Sequence, residues 1–120
     1  MSSPKRGEIW LVDLEPTRGA ELNKTRPVVV ANVDEVGVLP VRLVAPVTAW
    51  SPNKSGHIWL VRVRPTKQNA LAKESCIDTF QLRGVSLERF SKRLGRLSAD
   101  DMDEVTTAIA LVTGYSPGEA

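Results

Sequence analysis

One cysteine and one histidine occur among the 120 residues, and this scarcity excludes several kinds of chemistry. Cys76 has no second cysteine for an internal disulfide, so we expect a small buried side chain in a reducing compartment. With His57 alone, a catalytic pair of histidines is excluded. The sequence also lacks a cluster of His, Cys, Asp and Glu at metal-ligand spacing, so we predict neither a metal site nor a cofactor.

Long apolar segments are missing as well. No run reaches the roughly 18 residues that a membrane-spanning helix needs. The first eight residues, Met-Ser-Ser-Pro-Lys-Arg-Gly-Glu, lack the apolar stretch of a secretory signal, so we expect a cytoplasmic protein. The sequence has no P-loop, Gly-x-Gly-x-x-Gly or Gly-x-Ser-x-Gly motif, no repeat and no linker. Its length fits a single domain over residues 1–120.

The net charge of +2 conceals an uneven distribution. Residues 1–98 contain all 16 basic residues and nine acidic ones, whereas residues 99–120 contain five acidic residues and no basic one. A basic body is compatible with a nucleic acid or an acidic peptide as partner. Scattered surface charges would give the same count, and acidic residues near 100 would also stabilise the start of a helix.

Apolar and β-branched segments predict five or six strands, followed by a helix. The strands are expected at residues 8–14, 27–33, 41–47, 57–63 and 75–82, with a short sixth at 92–97. Ser98 is the expected N-cap of the helix and Gly114 its C-cap. Because no helix separates the early strands, we predict a mainly β fold of the α+β class. It would be a small curved antiparallel sheet, or SH3-like barrel, packed against a long C-terminal helix.

Two connections are longer than a hairpin requires, and such loops are often functional. The first covers residues 15–26 and the second residues 49–56. The adjoining strands are expected to pair, so both loops would flank one groove. This groove would contain four basic side chains that bind phosphates and one tryptophan on which a nucleobase stacks: Arg18, Lys24, Arg26, Lys54 and Trp50. Solvated charges and a tryptophan packed on the sheet remain alternatives.

Three segments resemble a known toxin family. Residues 6–21 read Arg-Gly-Glu-Ile-Trp-Leu-Val-Asp-Leu-Glu-Pro-Thr-Arg-Gly-Ala-Glu, residues 24–30 read Lys-Thr-Arg-Pro-Val-Val-Val, and residues 44–48 read Val-Ala-Pro-Val-Thr. They are similar to the MazF/PemK toxins, the endoribonucleases of type II toxin–antitoxin pairs. The similarity covers nearly the whole chain. One departure is the bulky, basic stretch at residues 22–25, where the family often has small residues.

The resemblance implies both an activity and partners. The activity is sequence-specific, metal-independent cleavage of single-stranded RNA, either mRNA or rRNA, by a homodimer. The partner is a cognate antitoxin whose acidic C-terminal segment lies over the same groove, with DNA bound only by the toxin–antitoxin complex. The family's catalytic arginine falls on Arg26, its catalytic threonine on Thr48 and its loop acid on Glu21.

The implied chemistry suits these residue types. RNA supplies its own nucleophile, the 2′-hydroxyl, so the enzyme must align the phosphate and stabilise its charge. A guanidinium binds phosphate bidentately and is a poor base, which favours charge stabilisation by Arg26 over proton abstraction. Two alternatives stay open, a non-catalytic toxin of the same fold that inhibits DNA gyrase and a plain RNA-binding barrel. The first would use the C-terminal end, which is turn-like here.

Overall fold

The computed structural model describes residues 3–15 and 24–116, which form an antiparallel sheet followed by one helix. Within these residues the strand order is β4-β5-β3-β2-β1-β7, with β6 paired to β3 outside this path. The elements are β1 (Glu8–Asp13), β2 (Thr25–Val30), β3 (Val41–Ala49), β4 (Leu60–Val63), β5 (Ser75–Asp78), β6 (Arg83–Ser86), β7 (Phe90–Arg96) and α1 (Ala99–Val112). The predicted fold class is confirmed.

The sheet is apolar on both faces around β2, which explains the continuous valines there. Val29 lies in a cluster with residues of α1, whereas Val28 and Val30 lie in a second cluster on the opposite face, near Trp10 and Phe90. All three valines have no exposed surface. Burying such a side chain contributes roughly 1.5–3 kcal/mol, so this strand anchors the whole sheet. The prediction of a strand buried on both faces is confirmed.

The C-terminal helix has the expected N-cap, Ser98, whereas its C-cap is Thr113, one residue before the predicted Gly114. The Ser98 hydroxyl accepts a hydrogen bond from the Asp101 N–H at 3.1 Å, which satisfies a free donor of the first turn. Gly114 follows the helix with a φ of +89°, a conformation that glycine adopts without steric cost. Among the described residues, no helix is long and apolar enough to cross a membrane.

The structure differs from the predicted boundaries in several places. β2 ends at Val30 and not at residue 33, and β4 begins at Leu60 and not at residue 57. The segment predicted as one strand at 75–82 ends at Asp78, because the Asp78 carboxylate accepts the Phe80 N–H and starts a short 3₁₀ turn. A separate strand, β6, follows and had not been predicted. The prediction that Arg26 ends a loop was also wrong, since β2 already begins at Thr25.

Candidate active site

A row of polar side chains crosses four neighbouring strands. Cys76 of β5 pairs with Thr48 of β3 on one side and with Arg62 of β4 on the other. On β2, the pairing with β3 ends at Val28 opposite Pro46, and the same register continued by two residues brings Arg26 opposite Thr48. Residues directly opposite each other in antiparallel strands project from the same face. Arg26, Thr48, Cys76 and Arg62 therefore form one row, which we call the site row.

Two prolines mark the place where the site row meets β2. Pro27 and Pro46 have no N–H to donate, so the β2–β3 ladder ends at these residues. Arg26 and Thr48 lie just beyond that point, and both are partly buried. With neighbouring strands about 5 Å apart, one phosphate group could contact both side chains. The register, continued beyond its last pair, thus predicts that the two residues expected to be catalytic lie near each other.

The hydroxyl of Thr48 has a specific neighbour. Its Oγ1 lies 3.4 Å from the Cys76 Sγ, a distance at which either atom can donate. The thiol is also 3.8 Å from the Ala49 carbonyl oxygen, which can accept its proton. Cys76 has no exposed surface, so the expectation of a small buried side chain is confirmed. Its position also places it in direct contact with the predicted catalytic threonine.

Trp50 carries an arginine on its ring. The central guanidinium carbon of Arg62 lies 3.8 Å from the ring centroid, within the range of a cation–π interaction. Glu74 accepts hydrogen bonds from Nε and Nη2 of Arg62, each at 2.8 Å. These bonds hold the pKa of Glu74 below its usual value and raise the pKa of Arg62. Part of the predicted stacking surface is therefore covered by a guanidinium.

Lys54 and Lys24, predicted to bind phosphates, lie in different surroundings. The Lys54 ammonium donates to the Ala49 carbonyl and so bridges its own loop. It also faces Asp78, whose pKa is raised by burial and lowered in part by backbone hydrogen bonds and by Lys54. Lys24 is exposed, has a φ of +71°, and its carbonyl accepts the Leu14 N–H at 3.1 Å. Lys24 therefore remains open to a ligand, whereas Lys54 already has a structural partner.

Two predicted site residues, Arg18 and Glu21, lie outside the described residues. The chain that leads toward them is held by two arginines. Arg83 donates to the Leu14 carbonyl at 3.4 Å, and Arg89 donates to the Asp13 carbonyl at 3.3 Å and to the Glu15 carbonyl. These bonds fix the exit of β1 on the side where Arg26 enters β2.

Several arginines of the basic body have structural roles that the charge count had not distinguished. Arg6 donates to the Ala31 carbonyl and to the Thr106 hydroxyl, and Arg93 pairs with Glu8 at 3.0 Å. Arg42 is 2% exposed and donates to backbone carbonyls. Fewer basic side chains therefore remain for a ligand than the 16 of the sequence suggest.

The described part of the chain contains no metal-binding cluster, its histidine stacks on a tryptophan, and one cleft lies apart from the site row. Residues 3–15 and 24–116 contain no group of three or more His, Cys, Asp or Glu that could hold a metal ion. His57 is exposed and stacks on Trp59, with ring centroids 4.6 Å apart. A cleft of about 590 Å³ lies beside Arg6 and Arg96, at the other end of β1 from the site row.

Sequence reasoning missed the roles of four residues of this region. Arg62 lies in a predicted strand and Arg64 directly follows it, and this spacing of two could have placed both on one face. Glu74 precedes β5, and no sequence pattern linked it to Arg62. Cys76 carried no signal beyond its hydrophobic character.

The chain is similar to known proteins along most of its length. Residues 5–113 match the family model described as PemK-like, MazF-like toxin of type II toxin-antitoxin system. The endoribonuclease MazF9 of Mycobacterium tuberculosis is 32% identical over 113 residues, which cover 89% of this chain and 93% of the relative.

Solved structures share the fold. MazF of Deinococcus radiodurans superposes with a TM-score of 0.79 at 21% identity, covering 95% of this chain and 99% of that one. A mycobacterial endoribonuclease in complex with its cognate antitoxin superposes with a TM-score of 0.76 at 14% identity, covering 97% and 100% of the two chains.

Proposed function

Because this chain belongs to the PemK-like, MazF-like toxins of type II toxin–antitoxin systems, we propose that it is a sequence-specific endoribonuclease. It cuts single-stranded RNA, mRNA or rRNA, without a metal ion. The observation that supports the proposal is the β2–β3 register, which ends at Val28 opposite Pro46 and, if continued by two residues, would bring Arg26 opposite Thr48 on one face of the sheet. The 32% identity to an endoribonuclease supports the same activity.

The proposed reaction uses the nucleophile of the substrate. The 2′-hydroxyl loses its proton to solvent, and its oxygen forms a bond to the adjacent phosphorus while the bond to the 5′-oxygen breaks. The leaving 5′-oxygen takes a proton from Arg26, which regains one from solvent, so the products are a 2′,3′-cyclic phosphate and a 5′-hydroxyl. Arg26 binds the non-bridging oxygens and stabilises the charge of the pentavalent transition state. Thr48 donates a hydrogen bond to the same phosphoryl group. Glu21 stays a predicted member of the site, and Arg18, Lys24, Trp50 and Lys54 stay predicted RNA contacts.

Substitution of the predicted catalytic pair tests this activity. We expect Arg26→Lys and Thr48→Val to lower the single-turnover cleavage rate by about 100-fold or more, the usual cost of losing one donor to a developing oxyanion. The assay uses purified protein, a long single-stranded RNA and EDTA. Arg96→Lys, at the far end of β7, is the matched control and should cleave at the wild-type rate.

Each outcome of this assay is informative. Wild-type turnover by Arg26→Lys would contradict the guanidinium role, and cleavage that stops in EDTA would contradict metal independence. Intact RNA with wild-type protein would remove the endoribonuclease proposal. A retained gel shift would then favour a plain RNA-binding barrel, and inhibition of DNA supercoiling by gyrase would favour the non-catalytic toxin.

Two partners belong to the proposal. The first is a cognate antitoxin whose acidic C-terminal segment covers the site row, supported by the similar fold solved in complex with its antitoxin and by the guanidiniums of Arg26, Arg62 and Arg64 on this side. DNA would be bound only by that complex. The second partner is another copy of the chain, supported by exposed apolar residues between Val33 and Leu43.

A further inference from the structure

Next to the predicted catalytic pair lies an arginine that is fixed on two sides. The Arg62 guanidinium stacks on the Trp50 ring, and its Nε and Nη2 both donate hydrogen bonds to the Glu74 carboxylate. The backbone N–H of Trp50 in turn donates to the backbone carbonyl of Glu74 at 3.2 Å. One glutamate therefore holds the tryptophan through its backbone and the arginine through its side chain, so that the guanidinium plane has a defined orientation.

This arrangement lies on the same face as the predicted catalytic pair. Arg62 and Thr48 flank Cys76 in the site row, two strand spacings apart, which is roughly 10 Å. A nucleotide next to a phosphate held at Thr48 would reach this part of the surface. The Arg62 and Glu74 side chains are 42% and 38% exposed, so a ligand can contact them.

Stability gives little reason for such an ordered pair. Ion pairs between exposed side chains contribute little to stability, because water screens the charges and two flexible side chains must be ordered. A second guanidinium, Arg64, lies 3.9 Å from the same carboxylate with its side chain 80% exposed. The cluster thus keeps an excess positive charge beside an ordered planar surface, two features that suit an unpaired nucleotide.

We propose that Trp50 and Arg62, oriented by Glu74, form a nucleobase subsite that reads one position of the RNA beside the cleaved phosphate. The inference rests on the proposed function. An unpaired base stacks on the guanidinium of Arg62, as bases do on arginine planes and aromatic rings in single-stranded RNA recognition. Glu74 is a positioning residue that fixes the stacking plane. Arg64 contacts phosphate and contributes charge without base preference.

The test measures binding separately from cleavage. A random pool of 2′-O-methyl oligonucleotides, which lack the nucleophile and are not cut, is selected on the purified protein and sequenced. We expect wild-type protein to enrich a defined base at several positions. Arg62→Ala should lose the preference at one of them and keep the others, with affinity for the selected sequence lowered by about 5- to 150-fold, the usual effect of one lost stack.

Three further variants sharpen the result. Arg62→Lys keeps the charge and loses the plane, so it should lose the same preference as Arg62→Ala. Glu74→Gln should weaken that preference by a smaller factor. Arg64→Ala, which removes the same charge from a neighbouring position, is the matched control: it should lower affinity for all sequences alike and retain every preference.

The inference is overturned if wild-type protein enriches no sequence, if Arg62→Ala keeps every preference, or if Arg64→Ala loses the same one. Cleavage of an unmodified RNA pool by wild-type protein and by Arg26→Lys is followed in parallel. Absence of cleavage by the wild type would contradict the proposed activity, while the binding selection would still decide whether the subsite exists.

Discussion

The contact between Cys76 and Thr48 gives a buried thiol a defined influence on a predicted catalytic hydroxyl. If the thiol donates to the threonine oxygen, the hydroxyl proton is free to point at the substrate phosphate. The other oxygen that could accept the thiol proton, the Ala49 carbonyl oxygen, lies 3.8 Å from Sγ, whereas the Thr48 Oγ1 lies 3.4 Å from it. We therefore regard Cys76 as a positioning residue for Thr48 within the proposed reaction.

Removal of this thiol should lower the rate of the chemical step. We expect Cys76→Ala to reduce the single-turnover cleavage rate by up to about 10-fold, the value of one weak hydrogen bond, with little change in substrate affinity. Cys76→Ser should retain most of the rate. The deciding measurement is a double-mutant cycle, because in a Thr48→Val background the Cys76→Ala change should have no further effect. An equal loss in both backgrounds would show that the cysteine acts through packing alone.

At the scale of single elements, Arg42 connects three parts of the chain. Its Nε donates to the Pro4 carbonyl at 2.9 Å, and its Nη1 donates at 2.9 Å to the carbonyls of Leu39 and Val41. Nη2 reaches the Gly37 carbonyl at 3.4 Å. In the described ranges 3–15 and 24–116, no carboxylate forms an ion pair with Arg42. Its charge is therefore balanced by backbone dipoles that converge from the N-terminal segment, the β2–β3 connection and β3.

Loss of these hydrogen bonds should destabilise the sheet. We expect Arg42→Met to lower the free energy of unfolding by about 3 kcal/mol, because four buried or partly buried hydrogen bonds to backbone carbonyls are lost while the apolar volume is kept. Arg42→Lys should lower the free energy of unfolding by less, since an ammonium can donate some of the hydrogen bonds that the guanidinium makes. The measurement is a urea titration, with the exposed Arg96→Met as control, expected within about 0.5 kcal/mol of wild type. A wild-type midpoint for Arg42→Met would refute this account.

The elements also show which features were predictable from the sequence. Local patterns predicted β1, β2, β3 and the helix, because apolar and β-branched segments, Ser98 and Gly114 act through neighbouring residues. The turn after Asp78 and strand β6 depend on a side-chain cap and on pairing with the first half of β3, so periodicity missed them. Arg26 and Thr48 were identified through family resemblance, whereas the contacts of Cys76, Arg62 and Arg42 arise only when distant strands meet.

At the scale of the whole molecule, the exposed apolar residues are unevenly distributed. Six of them lie in one 11-residue segment, residues 33–43, which comprises the β2–β3 connection and the start of β3. Their exposed fractions range from 39% to 92%: Val33, Val36, Val38, Leu39, Val41 and Leu43. Single exposed apolar side chains are common, but a contiguous group of this kind marks an interaction surface.

The most exposed residue of this surface tests the proposed homodimer. In a two-fold symmetric interface each substitution occurs twice, so Val38→Asp removes two apolar contacts and introduces two carboxylates that lose water on association. Each valine contributes roughly 1.5 kcal/mol or more when buried, and we therefore expect the dimer dissociation constant to rise by at least about 100-fold. Sedimentation equilibrium of wild-type protein and of Val38→Asp measures this change. Ile58→Asp, at an apolar residue that is 59% exposed outside this surface, should leave it unchanged. A wild-type chain that stays monomeric at all concentrations, or an equal loss with Ile58→Asp, would show that residues 33–43 are not the contact surface.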